Sequence, residues 1–359
     1  MAYHIQTTRT TESRLDQVDF SNLPFGKTFS DHMFVADYRD GEWQDLRIVP
    51  FGRFEIHPSS MSLHYGQAIF EGMKAFKSTE GQPLFFRPEQ HAIRINRSAE
   101  RMCMPTIPED LFLQALHQLI ELDQGWIPPQ TGSALYIRPF MFANDEFLGV
   151  RPSERYRFMI FSGPVGPYYA KPVRLRAETE YIRAAIGGVG EAKAAGNYAS
   201  AMLPTKLAKE AGFDQVLWLD AKEHKYVQEV GTMNIFFVID GKVVTPETSG
   251  AILRGITRDS LLQILKHEGY EVEERAVSID EVMAAGRNGT LQEVFGSGTA
   301  AVIAFVKELQ YQDETVQVPH GEDAKVGPML KHYIESLRNG TREDTFGWVV
   351  PVGEGVAVS

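Results

Sequence analysis

Apolar residues recur along the chain at two spacings, which separate helices from strands. Between residues 31 and 86, short runs such as His32-Met33-Phe34-Val35-Ala36 and Pro83-Leu84-Phe85-Phe86 are bounded by Gly, Asp and Pro and predict strands. Two helices follow. Ala92, Ile95, Ala99 and Met102 recur at helical spacing, and Phe112, Ala115, Leu116, Leu119 and Ile120 make a stronger i, i+3, i+4, i+7, i+8 stripe. Pro108-Glu109-Asp110 puts a proline and two acids at the start of the second helix, where a missing N–H costs little and negative charge meets the positive helix end. Ala134 to Pro139 and Tyr156 to Phe161, rich in aromatic and β-branched residues, predict further strands.

After Phe161 the character changes. Gly163 to Pro172 carries three prolines, at 164, 167 and 172, which suits an irregular connection. Beyond it, strands (Gln215 to Leu219, Asn234 to Ile239, Thr290 to Phe295, Ala301 to Val306) alternate with helices (Tyr198 to Ala211, Arg258 to His267, Val326 to Arg338). Residues 1–30 are polar and turn-rich, an arm expected to pack on another element or another subunit. The expected class is mixed α and β in two domains, 1–170 and 182–359, joined by 171–181.

Composition narrows the function. A chain of 359 residues suits two domains at about 100–200 residues each. Its 36 basic and 47 acidic residues give a formal charge of −11 with no basic run, which argues against binding a phosphate backbone. No apolar stretch approaches the roughly 20 residues needed to span a bilayer, and Met1 to Gln6 has no apolar signal core. The single Cys103 allows no internal disulfide, so a reducing cytoplasm is the expected location.

Lys193 is the most suggestive residue. It stands between the glycines of Gly187-Gly188-Val189-Gly190 and Gly196, five residues ahead of Tyr198. Glycines let backbone approach a flat group where side chains would collide, so the setting suits an amine that forms a Schiff base. A surface lysine is the plain alternative. Glu229, before Gly231 and the apolar strand from Asn234, suits an acid that keeps a pyridine nitrogen protonated; alone it also reads as a solvated acid. Thr257 is the expected N-cap of a helix opening after Gly255, a place where unpaired N–H groups can meet a phosphate. Arg94, in His91-Ala92-Ile93-Arg94, offers a second basic contact, and Gly296-Ser297-Gly298-Thr299-Ala300 a small-residue loop with backbone donors. Zinc-type Cys/His spacing, a GxSxG elbow and a phosphate-binding Walker loop are all missing from the sequence.

Taken in order, Tyr65 to Phe76, His91 to Arg94, Leu135 to Pro139, Gly187 to Tyr198, Glu229 to Asn234, Leu253 to Arg258 and Phe295 to Ala300 resemble the branched-chain amino acid aminotransferases, which are fold-type IV pyridoxal-phosphate enzymes. The resemblance runs from about residue 30 to about 350. It implies a fold like that of the D-amino acid aminotransferases, with a smaller N-terminal α/β domain, a larger C-terminal pseudo-barrel domain and a homodimer or higher homo-oligomer. It makes Lys193 the Schiff-base lysine, Tyr198 the partner of the cofactor's phenolic oxygen and Glu229 that of its ring nitrogen. Arg94, Ile256, Thr257 and Thr299 are the implied phosphate contacts, with Thr232 also beside the cofactor. The implied substrate contacts are Phe70, Tyr136, Arg138, Val150, Tyr168, Thr232, Thr299 and Ala300. The implied reaction moves the amino group of L-leucine, L-isoleucine or L-valine to 2-oxoglutarate by a ping-pong course, and no metal takes part.

Two departures stand out. Ala301 and Ala304 occupy the places where animal members carry a Cys-x-x-Cys pair, so thiol regulation is not expected there, and Ala195-Gly196 replaces the family's common paired glycines. The rivals are a D-amino acid aminotransferase, an aminodeoxychorismate lyase and a non-catalytic protein that keeps the fold for binding.

Overall fold

The structure, a computed structural model, describes residues 3–167 and 171–353. The chain forms two compact units, one of residues 3–167, 192–195 and 335–353 and one of 171–191 and 196–334. Each pairs a mixed sheet with helices, as the alternation of helical and strand spacing predicts.

Among the described residues, the first unit's sheet runs Gln6–Thr7, Glu42–Pro50, His32–Arg39, Tyr156–Val165, Ala134–Ala143, Met73–Lys77, Pro83–Phe86 and Val349–Pro351, with Ala68–Phe70 also on Ala134–Ala143. Side chains alternate across a strand. Leu135 and Ile137 therefore join Ala75 and Phe85 on the face that packs the helices Pro88–Arg101 and Glu109–Leu122 through Ala92, Ile95, Phe112 and Leu116. Tyr136 and Arg138 take the opposite face. The arm packs on its own unit: Ile5 enters the core, Gln6–Thr7 pairs in parallel with Glu42–Pro50, and the Tyr3 hydroxyl donates to Asp110 at 3.0 Å. Late in the chain, Val349–Pro351 pairs antiparallel to Pro83–Phe86.

The second unit's sheet runs Val227–Val230, Gln215–Leu219, Val173–Ala177, Val302–Tyr311, Leu291–Gly298, Asn234–Ile239, Lys242–Thr245 and Val272–Glu274, with Glu314–Gln317 on Val302–Tyr311. Leu175, Leu217, Ile235, Phe237 and Leu309 are fully buried within it. Three readings change here. The helix expected over Tyr198 to Ala211 is two, Ala195–Ser200 and Met202–Glu210, because Pro204 has no N–H for the carbonyl of Ser200. Gly296-Ser297-Gly298 is the end of the strand Leu291–Gly298 rather than a loop after it, held on both sides by Asn234–Ile239 and Val302–Tyr311. The N-cap of Ile256–His267 is Gly255, not Thr257; Thr257 lies within the first turn, 4% exposed.

The helix Val326–Arg338 begins on a buried acid. Glu293 accepts from the backbone N–H groups of Lys325, Val326 and Gly327 at 2.6, 2.7 and 2.8 Å, satisfying donors that a helix start leaves unpaired.

Candidate active site

In the first unit, the chain around Lys193 runs as a short extended piece. Ala192 and Ala194 are 3% and 1% exposed and enter the core, so the side chain between them must point the other way. Its backbone is fixed on both sides: the N–H donates to Ser98 Oγ at 3.0 Å, and the carbonyl accepts from Phe70 N–H at 3.1 Å. The amine Nζ lies 5.0 Å from the centre of the Phe70 ring. The guanidinium of Arg138 lies over the same ring at 4.5 Å and donates from Nη2 to the Tyr136 hydroxyl at 3.1 Å. Phe70, Tyr136, Arg138 and Lys193 are thus brought together.

A cavity of about 220 Å³ opens beside Tyr136 and Arg138. Phe161 lines it, as do Phe25 and Phe29 from the arm. Phe25 meets Tyr136 edge to face at 5.0 Å between ring centres. Sequence reasoning passed over these two phenylalanines; the signal was an aromatic pair set in an otherwise polar, turn-rich stretch.

Arg94 lies on Pro88–Arg101, one helical turn from His91 and Ser98. All three are buried, and Arg94 forms a two-point ion pair with Glu71, Nε to Oε1 at 2.6 Å and Nη2 to Oε2 at 2.8 Å. His91 Nδ1 lies 2.7 Å from Glu71 Oε2. Burial pushes the Glu71 carboxyl up, but the Arg94 guanidinium and His91 outweigh it and hold it well below the usual carboxylate range. His91 moves down, first through burial and further through the charges of Arg94 and Lys193, against the pull of Glu71. Val150 stands apart from this group, 86% exposed in a loop with exposed Phe147 and Leu148. Tyr168 lies outside the described residues.

In the second unit, Glu229 is 3% exposed. Its Oε1 accepts from Leu253 N–H at 2.7 Å, and its Oε2 lies 3.1 Å from Arg183 Nε. Arg183 also donates to the carbonyls of Gly190 and Ala251. Arg183 is a residue the sequence reading missed, and no spacing rule links it to Glu229. The same contact explains one glycine: a Cβ at Gly190 would meet the Ala184 side chain and the Ala251 carbonyl, so here the small residue serves backbone packing.

Leu253 connects the acid to the helix start, since its carbonyl accepts from Asn234 Nδ2 at 2.9 Å. Asn234 in turn sits opposite Ser297 in the sheet, and a Cβ at Gly255 would run into Asn234 Oδ1. Glu229, the uncapped first turn with Ile256 and Thr257, and the end of the strand Leu291–Gly298 are therefore joined through Leu253 and Asn234. Ser297 Oγ is buried there without a hydrogen-bond partner. Thr299 and Ala300 follow, half-buried in a turn. Tyr198 and Thr232 line a second groove, about 580 Å³, together with Met202, Lys206 and Lys209. Among the described residues, no cluster of His, Cys, Asp and Glu could hold a metal ion, and no helix is long and apolar enough to cross a membrane.

The first unit thus holds a primary amine beside an aromatic ring and a phenol, and the second, taken by itself, holds a buried carboxylate linked to a helix start without a side-chain cap. The chain belongs to the amino-transferase class IV family, whose pattern matches residues 68–309. Its relatives are more particular. Branched-chain-amino-acid aminotransferase 2 of Bacillus subtilis (strain 168) is 47% identical over 346 residues, 95% of this chain and 95% of that protein. The crystal structure of the Escherichia coli branched-chain amino acid aminotransferase is 29% identical, with a TM-score of 0.75 over 90% of this chain and 99% of that one. The branched-chain amino acid aminotransferase of T.th., solved with N-(5'-phosphopyridoxyl)-L-glutamate, is 28% identical, with a TM-score of 0.72 over 88% of this chain and 98% of that one.

Proposed function

We propose that this protein transfers the amino group of L-leucine, L-isoleucine and L-valine to 2-oxoglutarate, using pyridoxal phosphate. The observation that carries the reading is the placement of the Lys193 amine 5.0 Å from the Phe70 ring that Arg138 also covers. An amine, an apolar wall and a carboxylate-binding cation then serve one small amino acid.

The residues fit the cofactor. The buried Ser297 hydroxyl without a partner and the helix start without a side-chain cap both suit a phosphate, and Glu229 suits a protonated ring nitrogen. Bound pyridoxal phosphate supplies an aldehyde for the amine and a ring that accepts electrons as the α-proton leaves. Lys193 carries that proton, taking it from the substrate carbon and returning it on the other side of the exchange. Tyr198 donates to the phenolic oxygen, and Glu229 holds the ring nitrogen's proton. Arg94, Ile256, Thr257 and Thr299 bind the phosphate, with Thr232 nearby.

Phe70, Tyr136, Tyr168, Thr232, Thr299 and Ala300 contact the substrate side chain, Val150, which stands apart from Phe70 and Tyr136 within one chain, contacts it from a second copy, and Arg138 with the Tyr136 hydroxyl binds the acid group of 2-oxoglutarate and glutamate. The protein works in the cytoplasm as a homodimer or higher homo-oligomer, a reading supported by the exposed Phe147, Leu148 and Val150, which a second copy would cover. The boundary between domains 1–170 and 182–359 is drawn at 171–181 on the sequence, whereas by contacts the strand Val173–Ala177 belongs to the second unit and residues 192–195 and 335–353 to the first. The test is glutamate formation from L-leucine and 2-oxoglutarate. Activity on D-alanine with none on L-leucine would overturn the reading.

A further inference from the structure

We propose that Glu71 is a positioning residue for cofactor binding: it locks Arg94 in the orientation that holds the phosphate. The inference rests on the reading of Arg94 given above. Glu71 lies in the turn between Ala68–Phe70 and Met73–Lys77 and is fully buried. A carboxylate in such a place is costly unless its oxygens are paired. Here both are taken: Oε1 by Arg94 Nε at 2.6 Å, and Oε2 by Arg94 Nη2 at 2.8 Å, His91 Nδ1 at 2.7 Å and the Gly72 N–H at 3.1 Å. Two parallel bonds on one edge of the guanidinium fix its plane, which fixes the direction of the opposite edge.

The backbone of Glu71 is equally constrained. Its N–H donates to the Pro139 carbonyl at 2.7 Å, next to Arg138, and the preceding residue, Phe70, donates to Lys193. On the facing helix, Arg94 and Ser98 lie a turn apart, and Ser98 holds the Lys193 N–H. One short turn and one helix face therefore set both the phosphate arm and the reactive amine. Glu71 is fully buried with both oxygens held by protein donors, so its effect on a bound phosphate passes through Arg94. Without its charge, the long Arg94 side chain regains rotamers that binding must then freeze.

The test is titration of the full chain, stripped of cofactor, with pyridoxal phosphate and separately with pyridoxal, which has the aldehyde but no phosphate. Glu71→Gln is expected to weaken pyridoxal phosphate about tenfold, the scale on which outer partners of a ligand-binding side chain act, and to leave pyridoxal unchanged. Glu71→Asp, which keeps the charge, is expected to recover part of the loss. Equal weakening of both ligands would mean a structural role only and would overturn the proposal. Arg94→Met and the double variant Glu71→Gln/Arg94→Met, in which no unpaired charge is left buried, complete the cycle. The double variant should bind pyridoxal phosphate as weakly as Arg94→Met alone; a further loss in it would also overturn the proposal. If Arg94→Met binds pyridoxal phosphate like the parent, the phosphate role of Arg94 itself fails, an outcome distinct from failure at Glu71.

Discussion

Arg183 Nε lies 3.1 Å from Glu229 Oε2, with the two side chains only 9% and 4% exposed, so little water screens the pair. Arg183→Met takes the guanidinium away from a buried carboxylate while Leu253 N–H still donates to its Oε1. We expect a loss of about 3 kcal/mol in stability and a drop of at least about tenfold in turnover. Adding Glu229→Gln should restore much of the stability but not the rate. Thermal unfolding and leucine-dependent glutamate formation measure the two effects, and an unchanged melting midpoint in Arg183→Met would refute the first.

Lys193→Ala should lower turnover by at least about four orders of magnitude, because on the proposed reading it removes the amine that holds the aldehyde and carries the proton. Ala192 and Ala194 keep the segment seated in the core, so the variant should fold. Borohydride reduction of the parent, followed by peptide mapping, should place the cofactor on Lys193. Normal rates in the variant would exclude the assignment.

Phe25→Ala should raise the KM for L-leucine about tenfold, by removing apolar wall from the cavity beside Tyr136 and Arg138. Phe25 is 45% exposed, so the melting temperature should hardly move. A large fall in stability with no change in KM would show a packing role instead.

Lys74 is 7% exposed, and burial, with the charge of Arg338, pushes its ammonium down to about 7 against the opposing pull of Glu335. The unfolded chain keeps that proton up to about 10.5. Between these values the unfolded state binds more protons, so this group makes stability rise with pH across that window, by up to about 1.4 kcal/mol per unit. Lys74→Met should remove that slope and be stabilised most on the acid side. Melting midpoints of the parent and Lys74→Met between pH 6.5 and 9.5 test this; parallel curves would contradict it.

Much of the architecture was legible because periodicity records which face of an element is buried. The stripe at Phe112, Ala115, Leu116 and Leu119 belongs to Glu109–Leu122, and Asn234 to Ile239 is the strand it reads as. What escaped depends on contacts between distant segments. Gly255 stands at the N-cap position, where Asn234 approaches too closely for a Cβ, a contact that no local pattern records. Pro204 did carry a local signal, the missing N–H that divides two helices, but the apolar spacing masked it. Lys193, Tyr198 and Glu229 stood out through their order along the chain. Glu71 and Arg183, buried partners of such residues, are ordinary charges until the fold supplies their neighbours.

The stitching of Tyr3 to Asp110 and Gln114 has a consequence for how this pocket can be altered. With residues 3–7 tied down and Phe25 and Phe29 lining the cavity beside Tyr136 and Arg138, residues 3–29 shape part of that cavity's wall. Lengthening or trimming that segment would change the cavity's wall without touching the contacts that seat Lys193 on Ser98 and Phe70.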